Sequence, residues 1–266
     1  MAEFKIAKYK IRPEHGKKRP NQPFSVVLLS DLHNKSYGNN NAELLQAIRH
    51  AKPEAVFISG DMLTSCDHGA EIDAAVALMD ELTKKYPVYY ANGNHESRIK
   101  NRADGTEVLY EKYKSTIQSF GVHLLENTHK YLEIQGMPIA VWGLELSKEY
   151  FRRGMPAQPS VETVRDLLGE PEESYYNILL AHHPSYFEAY AGWGADLTLS
   201  GHLHGGIVRL PFLGGVISPQ IRLFPKYDRG MFDKNSKKLI VSAGLGAHTI
   251  SIRINNPAEL VIIDFV

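Results

Sequence analysis

Five short apolar runs in this chain each end directly in a polar cluster, and that repeated coupling limits the possible folds more than any other feature. Residues 24–30 lead into Asp31 and His33, 55–59 into Gly60 and Asp61, and 88–91 into Asn94 and His95. Further on, 177–181 lead into His182 and His183, and 196–200 into His202 and His204. Runs this short, apolar throughout and rich in β-formers, read as strands covered on both faces. Between the first three, helical spacing predicts two helices. One covers 41–51 with Leu44, Leu45 and Ile48 inward and Asn41 as its cap; the other covers 71–85 with Ile72, Val76, Met79 and Leu82 on one stripe. Strand, polar motif, helix, repeated, is α/β layering, where sites gather beyond the carboxyl ends of strands.

The rest of the chain extends this pattern. Alternation over 4–11 predicts a half-buried strand, and 13–23, with three prolines, a loop whose Lys17, Lys18 and Arg19 are solvated. A helix is expected over 106–120 and a shorter one over 161–168. Strands of a second sheet are expected at 122–125, 131–134 and 139–144, and closing strands at 239–243 and 260–265. Residues 207–235 read as loop. No repeat or low-complexity linker divides the 266 residues, so one domain over 1–266 is expected.

Composition narrows the function classes. Thirty basic residues balance thirty acidic ones, so nothing draws the whole chain to nucleic acid or to an anionic membrane, and anion binding must be local. The one cysteine, Cys66, rules out an intrachain disulfide framework and reads as an inert, half-buried thiol. No run of 18 apolar residues could span a membrane, and the first eleven residues lack the apolar core of a signal peptide. An anchor or export signal upstream is compatible with this, so the compartment stays unassigned and a peripheral membrane role stays open.

The residue types at the strand ends define the chemistry. Carboxylate and carboxamide oxygens mixed with neutral imidazoles suit Mn²⁺, iron, Zn²⁺ or Co²⁺ better than Ca²⁺, and the lack of thiolates argues against a structural zinc site. In Asp31-x-His33 and His202-x-His204, residues two apart on an extended backbone would face the same side and reach one site. Each pair alone is weak. Five clusters, all at strand ends, make chance a poor account.

Ser30-Asp31-Leu32-His33, Gly60-Asp61, Gly93-Asn94-His95-Glu96, Ala181-His182-His183-Pro184 and Gly201-His202-Leu203-His204 resemble the ordered motifs of the calcineurin-like metallophosphoesterases. Gly244-Leu245-Gly246 and the stretch from Ile252 to Pro257 resemble the bacterial phosphodiesterase-like branch, so the likeness covers most of the chain. The resemblance implies a four-layer α/β/β/α sandwich of two mixed β-sheets flanked by helices. It also implies two divalent or mixed-valence ions (Mn, Fe or Zn). Asp31, His33, Asp61 and His204 would hold the first; Asp61, Asn94, His182 and His202 the second, with Asp61 shared. A hydroxide bridging the ions would attack the phosphorus of a phosphodiester or phosphomonoester, from a small molecule or a lipid headgroup. His95 would contact the phosphate and stabilise or protonate the leaving oxygen. His183 is a support, a substrate contact, or a strand-end histidine without a role. Glu96 reads as a local hydrogen-bond partner, and Gly205-Gly206 as room for close backbone approach.

Two departures matter. Thr64 stands where the family often has an acid that orients the catalytic histidine, with Asp67 as a substitute, and no arginine lies in 60–66, unlike the protein phosphatases. Arg98, Arg152 and Arg153 read as solvated charge in preference to contacts with a substrate phosphate, and the loop 209–227 as a pocket wall or a surface facing a partner or a membrane. The rivals are a phosphoesterase fold kept as a binding scaffold, which would have lost its ligands, and a metallohydrolase of amides or lactams, which would place a His-rich cluster early.

Overall fold

The structure is a computed structural model. It describes residues 3–14, 16–66, 69–102, 105–152, 154, 156–206, 209–210, 214–216, 223–246 and 253–266. Asp67, Arg153, Ile252 and the side chain of Cys66 lie outside that description, as does much of the loop 209–227.

The first half runs β1 (Phe4–Ile11), β2 (Phe24–Leu29), α1 (Ala42–Ala51), β3 (Ala55–Ile58), a ribbon of β4 (Thr64–Cys66) and β5 (Gly69–Glu71), α2 (Asp73–Thr83), β6 (Val88–Tyr90), α3 (Asn94–Lys100), α4 (Glu107–Ser119) and β7 (His123–Leu124). The second half runs β8 (Thr128–Ile134), β9 (Met137–Leu144), α5 (Val161–Leu168), β10 (Tyr176–Ala181), α6 (Phe187–Trp193), β11 (Leu197–Ser200), a ribbon of β12 (Arg209–Leu210) and β13 (Gly214–Gly215), β14 (Gly230–Lys234) and β15 (Lys237–Val241). The last strand, β16 (Ala258–Phe265), returns to the first sheet. The two six-stranded sheets have the orders β1-β16-β2-β3-β6-β7 and β14-β15-β11-β10-β9-β8, both mixed.

Alternation within the strands builds the layers. Val26, Leu28 and Phe57 of one sheet meet Val141, Ile178 and Leu180 of the other in a wholly apolar inter-sheet core. Their neighbours Val27, Leu29, Val56 and Ile58 face outward under α1, α2 and α4. Leu179 and Ala181 face the opposite way, under α5 and α6. Helices, sheet, sheet, helices is the expected four-layer order: the parallel pairs β2–β3, β3–β6, β6–β7, β9–β10 and β10–β11 are each joined by a helical crossover that covers a sheet face. Among the described residues, no helix is long and apolar enough to cross a membrane.

Four local readings change. Residues 122–125 hold not a second-sheet strand but β7, which pairs parallel with β6 in the first sheet after the α4 crossover. Asn41 sits before α1 in a left-handed conformation and does not cap it; its Oδ1 accepts from the Tyr37 N–H at 3.0 Å. Residues 230–234, read as loop, form β14. The turn to β15 is made by Asn235 and Ser236, both at positive φ, which is the geometry of a type I′ hairpin. Lys17 is not solvated: its Nζ donates to the Tyr175 carbonyl at 2.7 Å and lies 3.3 Å from Asp196.

Candidate metal centre

The loops leaving β2, β3, β6, β10 and β11 meet in one buried cluster. Asp31, His33 and His204 form one group and Asp61, His182 and His202 another, with the ligand-capable atoms in each group within 4.8 Å of one another. His33 Nε2 and His204 Nε2 are 3.2 Å apart, and His204 Nε2 is 3.4 Å from Asp31 Oδ1. His182 Nε2 lies 3.0 Å from Asp61 Oδ2 and 3.9 Å from Asp31 Oδ1, which joins the two groups. Asn94, the first residue of α3, is buried as well.

The way the paired residues converge differs from the expected one. Asp31, His33, Asp61, His202 and His204 all have φ between 50° and 70°. They therefore sit in tight left-handed turns, not on extended backbone with side-by-side alternation. Such conformations cost of order 1–3 kcal/mol each in non-glycine residues and persist only where the surroundings enforce them.

Glycines and one carboxylate do the enforcing. A Cβ on Gly93 would lie 2.2 Å from Asp61 Oδ1, and one on Gly201 would lie 2.2 Å from Asp31 Oδ2, so each glycine makes room for another motif's aspartate. The aspartates are also held by backbone donors: His95 N–H to Asp61 Oδ1 at 2.8 Å and His202 N–H to Asp31 Oδ1 at 3.0 Å. Glu96 reaches further than a local partner. Its carboxylate accepts from the Asp61, Gly93 and Leu63 N–H groups, each at 2.9 Å, and from the Tyr90 hydroxyl at 2.8 Å, tying the β3 loop to the β6 loop.

Electrostatically the cluster calls for positive charge. His182 Nδ1 is 2.6 Å from the Ser59 carbonyl, which can only accept, so Nδ1 carries the hydrogen. In a neutral ring, Nε2 then points a lone pair at Asp61 Oδ2. Only a proton or a cation between them makes that contact favourable. Burial opposes charge on His182, but Asp61 and Asp31 outweigh it and push the imidazole up to about 9. Burial likewise opposes the charge on Asp61, yet His182 and His95 drive it well below the usual carboxylate range. Burial beside His183 and His182 holds His202 neutral. Asn94 Oδ1 is buried with no hydrogen-bond partner among the described residues. A bare carboxamide oxygen, an imidazole lone pair facing a carboxylate, and a neutral histidine fit a metal ion.

His95 also comes within 4.8 Å of His33 and Asp61 in ligand-capable atoms. Its Nδ1, however, accepts from the Ser65 N–H at 2.9 Å, with Ser65 Oγ also 2.9 Å away. A peptide N–H can only donate, so the hydrogen of the neutral ring lies on Nε2, which makes Nε2 a donor and not a ligand. Ser65, next to the Thr64 that replaces the family's acid, thus contacts His95 Nδ1; Asp67, the expected substitute, lies outside the described residues.

His183 packs against the cluster, its ring centroid 4.4 Å from that of His202, and its Nδ1 accepts from the Ser185 N–H at 3.3 Å. Phe151 borders the same edge, 5.4 Å from His202 and 5.6 Å from His183 between centroids. No motif pointed to Phe151 or Ser65. Two residues of the tail stretch prove to be buttresses. The buried Asn256 amide donates to the His204 carbonyl at 2.5 Å and to the Gly206 carbonyl at 2.6 Å. Arg253 donates to the Ala243 carbonyl at 2.8 Å and to the Gly246 carbonyl, and its Nη2 lies 3.3 Å from His204 Nδ1.

A family model described as calcineurin-like phosphoesterase matches residues 24–206, the segment that supplies every cluster residue. The chain belongs to the calcineurin-like phosphoesterases. An uncharacterized metallophosphoesterase of Bacillus subtilis, YkuE, is 26% identical over 242 residues, covering 90% of this chain and 78% of its own length. The phosphodiesterase YaeI of Escherichia coli is 22% identical over 246 residues, 92% of this chain and 83% of its own. Among solved structures, the phosphopantetheinyl hydrolase PptH of Mycobacterium tuberculosis superposes with a TM-score of 0.54 at 14% identity, over 84% of this chain and 89% of that one. At that identity the likeness shows the fold. Family membership supports a metal-dependent phosphoesterase.

Proposed function

We propose that this phosphoesterase is dinuclear and hydrolyses a phosphodiester of a small molecule. The observation that carries the proposal is the joining of two ligand groups through His182 and the paired aspartates: His182 Nε2 lies within 3.9 Å of both Asp61 and Asp31. In this reading Asp31, His33 and His204 hold one ion, Asn94, His182 and His202 the other, and Asp61 both. Mn, Fe or Zn fits this donor set. When bound, such an ion pair supplies Lewis-acid polarisation of the phosphoryl group and activation of water.

The chain's own residues do the rest. His95 donates from Nε2 to a phosphoryl or leaving oxygen, where charge grows in the transition state. The Ser65 N–H on Nδ1 favours this hydrogen-bonding role over full proton transfer, since a neutral imidazole that gives up its hydrogen leaves an imidazolate. His183 and Phe151 line the substrate edge. Glu96, Gly93 and Gly201 keep the aspartates in place, and the core shared by both sheets supports reading 1–266 as one domain.

The test is Mn²⁺-reconstituted protein assayed on paired diesters and monoesters, with metal content measured alongside. The expected result is two ions per chain and faster turnover of diesters. His95→Ala should keep both ions and lose about 10²–10³-fold in turnover, as removal of a transition-state donor does elsewhere. One ion per chain, or full turnover in metal-loaded His95→Ala, sinks the reading. A metal-free chain that binds phosphate esters without hydrolysing them would favour the scaffold alternative.

A further inference from the structure

Asn94 is also one end of a second feature, a cleft of about 1160 Å³ beside the cluster. Asn94 and Arg98, four apart in α3, share one helix face, and Arg102, two residues past the helix end, lines the cleft with them. Lys148 and Arg152, from the connection between β9 and α5, line it too. Phe151 belongs to both features: it lines the cleft and its ring packs on His183 and His202. Asn94 and Phe151 therefore mark the edge along which the cleft adjoins the cluster.

Its charge is not what a count of side chains suggests. Glu126 and Glu145 line it as well, but Lys100 is 2.7 Å from Glu126 and 3.1 Å from Glu145, and Lys114 pairs with Glu126. Glu149 takes the Ser147 hydroxyl at 2.9 Å. Asp166 of α5 is the remaining acid. Arg98 and Arg152 are exposed and line the cleft. Arg98 also donates to Ser65 Oγ at 3.1 Å, the same hydroxyl that lies beside His95 Nδ1, so its guanidinium sits at the rim of the cluster. Arg98, Arg102, Lys148 and Arg152 thus outnumber Glu149 and Asp166 in the cleft, and Arg98 and Arg152 are exposed, as solvated charges are, while still lining it.

We infer that this cleft binds a second anionic group of the substrate, a phosphate or a carboxylate. Four residues of helix advance roughly 6 Å, so Arg98 sets that group on the order of 6 Å or more from the scissile phosphorus. Guanidinium forks suit such oxyanions by geometry as well as charge. The substrate class is then a phosphate ester whose organic part carries a further anion, with Phe151 against the linking group. This inference rests on the phosphoesterase reading of the cluster.

The experiment measures binding to Mn²⁺-loaded protein by calorimetry at fixed free Mn²⁺. The probes are ethyl phosphate and the bisphosphates of 1,3-propanediol and 1,6-hexanediol. One bisphosphate should bind about 10–100-fold more tightly than ethyl phosphate, the gain expected for hydrogen bonds to a charged group. That ratio, taken within each protein, should fall toward one in Arg98→Gln/Arg152→Gln. The same should hold in Arg102→Gln/Arg152→Gln, which leaves the Ser65 contact intact and guards against misfolding of the first variant. Equal affinity in the unaltered protein, or an undiminished ratio in both variants, overturns the inference. Failure of the unaltered protein to bind Mn²⁺ or to hydrolyse bis(p-nitrophenyl) phosphate overturns the phosphoesterase reading instead, so the two failures are distinct.

Discussion

Leu28, Phe57 and Leu180 are fully buried between the sheets, and within three residues of the ends of those same strands Asp31, Asp61 and His182 are buried almost as completely. The two regions share strands and depth, and differ in what depth does. Between the sheets, the clustered side chains are hydrophobic, backbone stays extended, and each Å² of apolar surface removed from water stabilises by about 25 cal/mol. At the strand ends, charges are buried at a cost that lasts until a cation arrives, and Asp31, His33, Asp61, His202 and His204 hold left-handed backbone at a further cost. One region holds the fold together, and the other is held by it.

The sharpest way to break this contrast is to truncate one residue in each region. Leu180→Ala should cost about 2–5 kcal/mol in denaturant unfolding with metal present or absent. Asp61→Ala should abolish metal retention and turnover, yet cost the chelator-treated protein less than Leu180→Ala does. It removes a buried charge together with that charge's contact to protonated His182, so the two effects partly offset. A large loss of metal-free stability in Asp61→Ala would show that the cluster helps to build the fold and end the contrast.

Asn256→Ala tests the border between the regions. The loss strips two buried carbonyls, of His204 and Gly206, of their donor, and should cost about 1–3 kcal/mol. Metal retention should weaken at the His204 side first, leaving one ion per chain by elemental analysis. Loss of both ions together would mean that the two halves of the cluster are not separately supported.

Acidity gives a smaller effect with a defined sign. His182 is raised from 6.5 to about 9, so in the metal-free protein its proton stabilises fully below 6.5, and that contribution is lost as pH rises through about 9. Metal must displace the same proton. Apparent metal affinity should therefore rise with pH up to about 9, with protons released on titration at neutral pH. Affinity that stays flat between pH 7 and 9 would contradict a protonated His182. Smallest of all is Ser65→Ala. The Ser65 backbone N–H remains on His95 Nδ1, so turnover should drop no more than about 10-fold, the worth of one ordinary hydrogen bond.

Much of this was legible in the sequence. The strands around 24–30, 55–59 and 177–181 announced themselves because residues buried on both faces must be apolar throughout. The candidate ligands followed because each sits directly past such a run. Less legible were the short elements: α6, at seven residues, is too brief for helical periodicity to emerge, and β14 alternates half-buried with exposed residues. The linking of the tail to the site was visible only as a motif, since nothing in Arg253 or Asn256 tells which carbonyls they will meet.

By itself, then, the order of residues determined the layering, the motif positions and the kind of chemistry, since period, length and side-chain type are local properties. Only the tertiary structure decided that the paired residues converge through left-handed turns, that Ser65 sets the hydrogen of His95, and that Arg98 and Arg152 line a cleft beside the cluster. Those facts depend on contacts between segments remote in sequence, such as Gly201 beside Asp31 and Asn256 beneath His204, and a contact across that distance exists only once the sheets have packed.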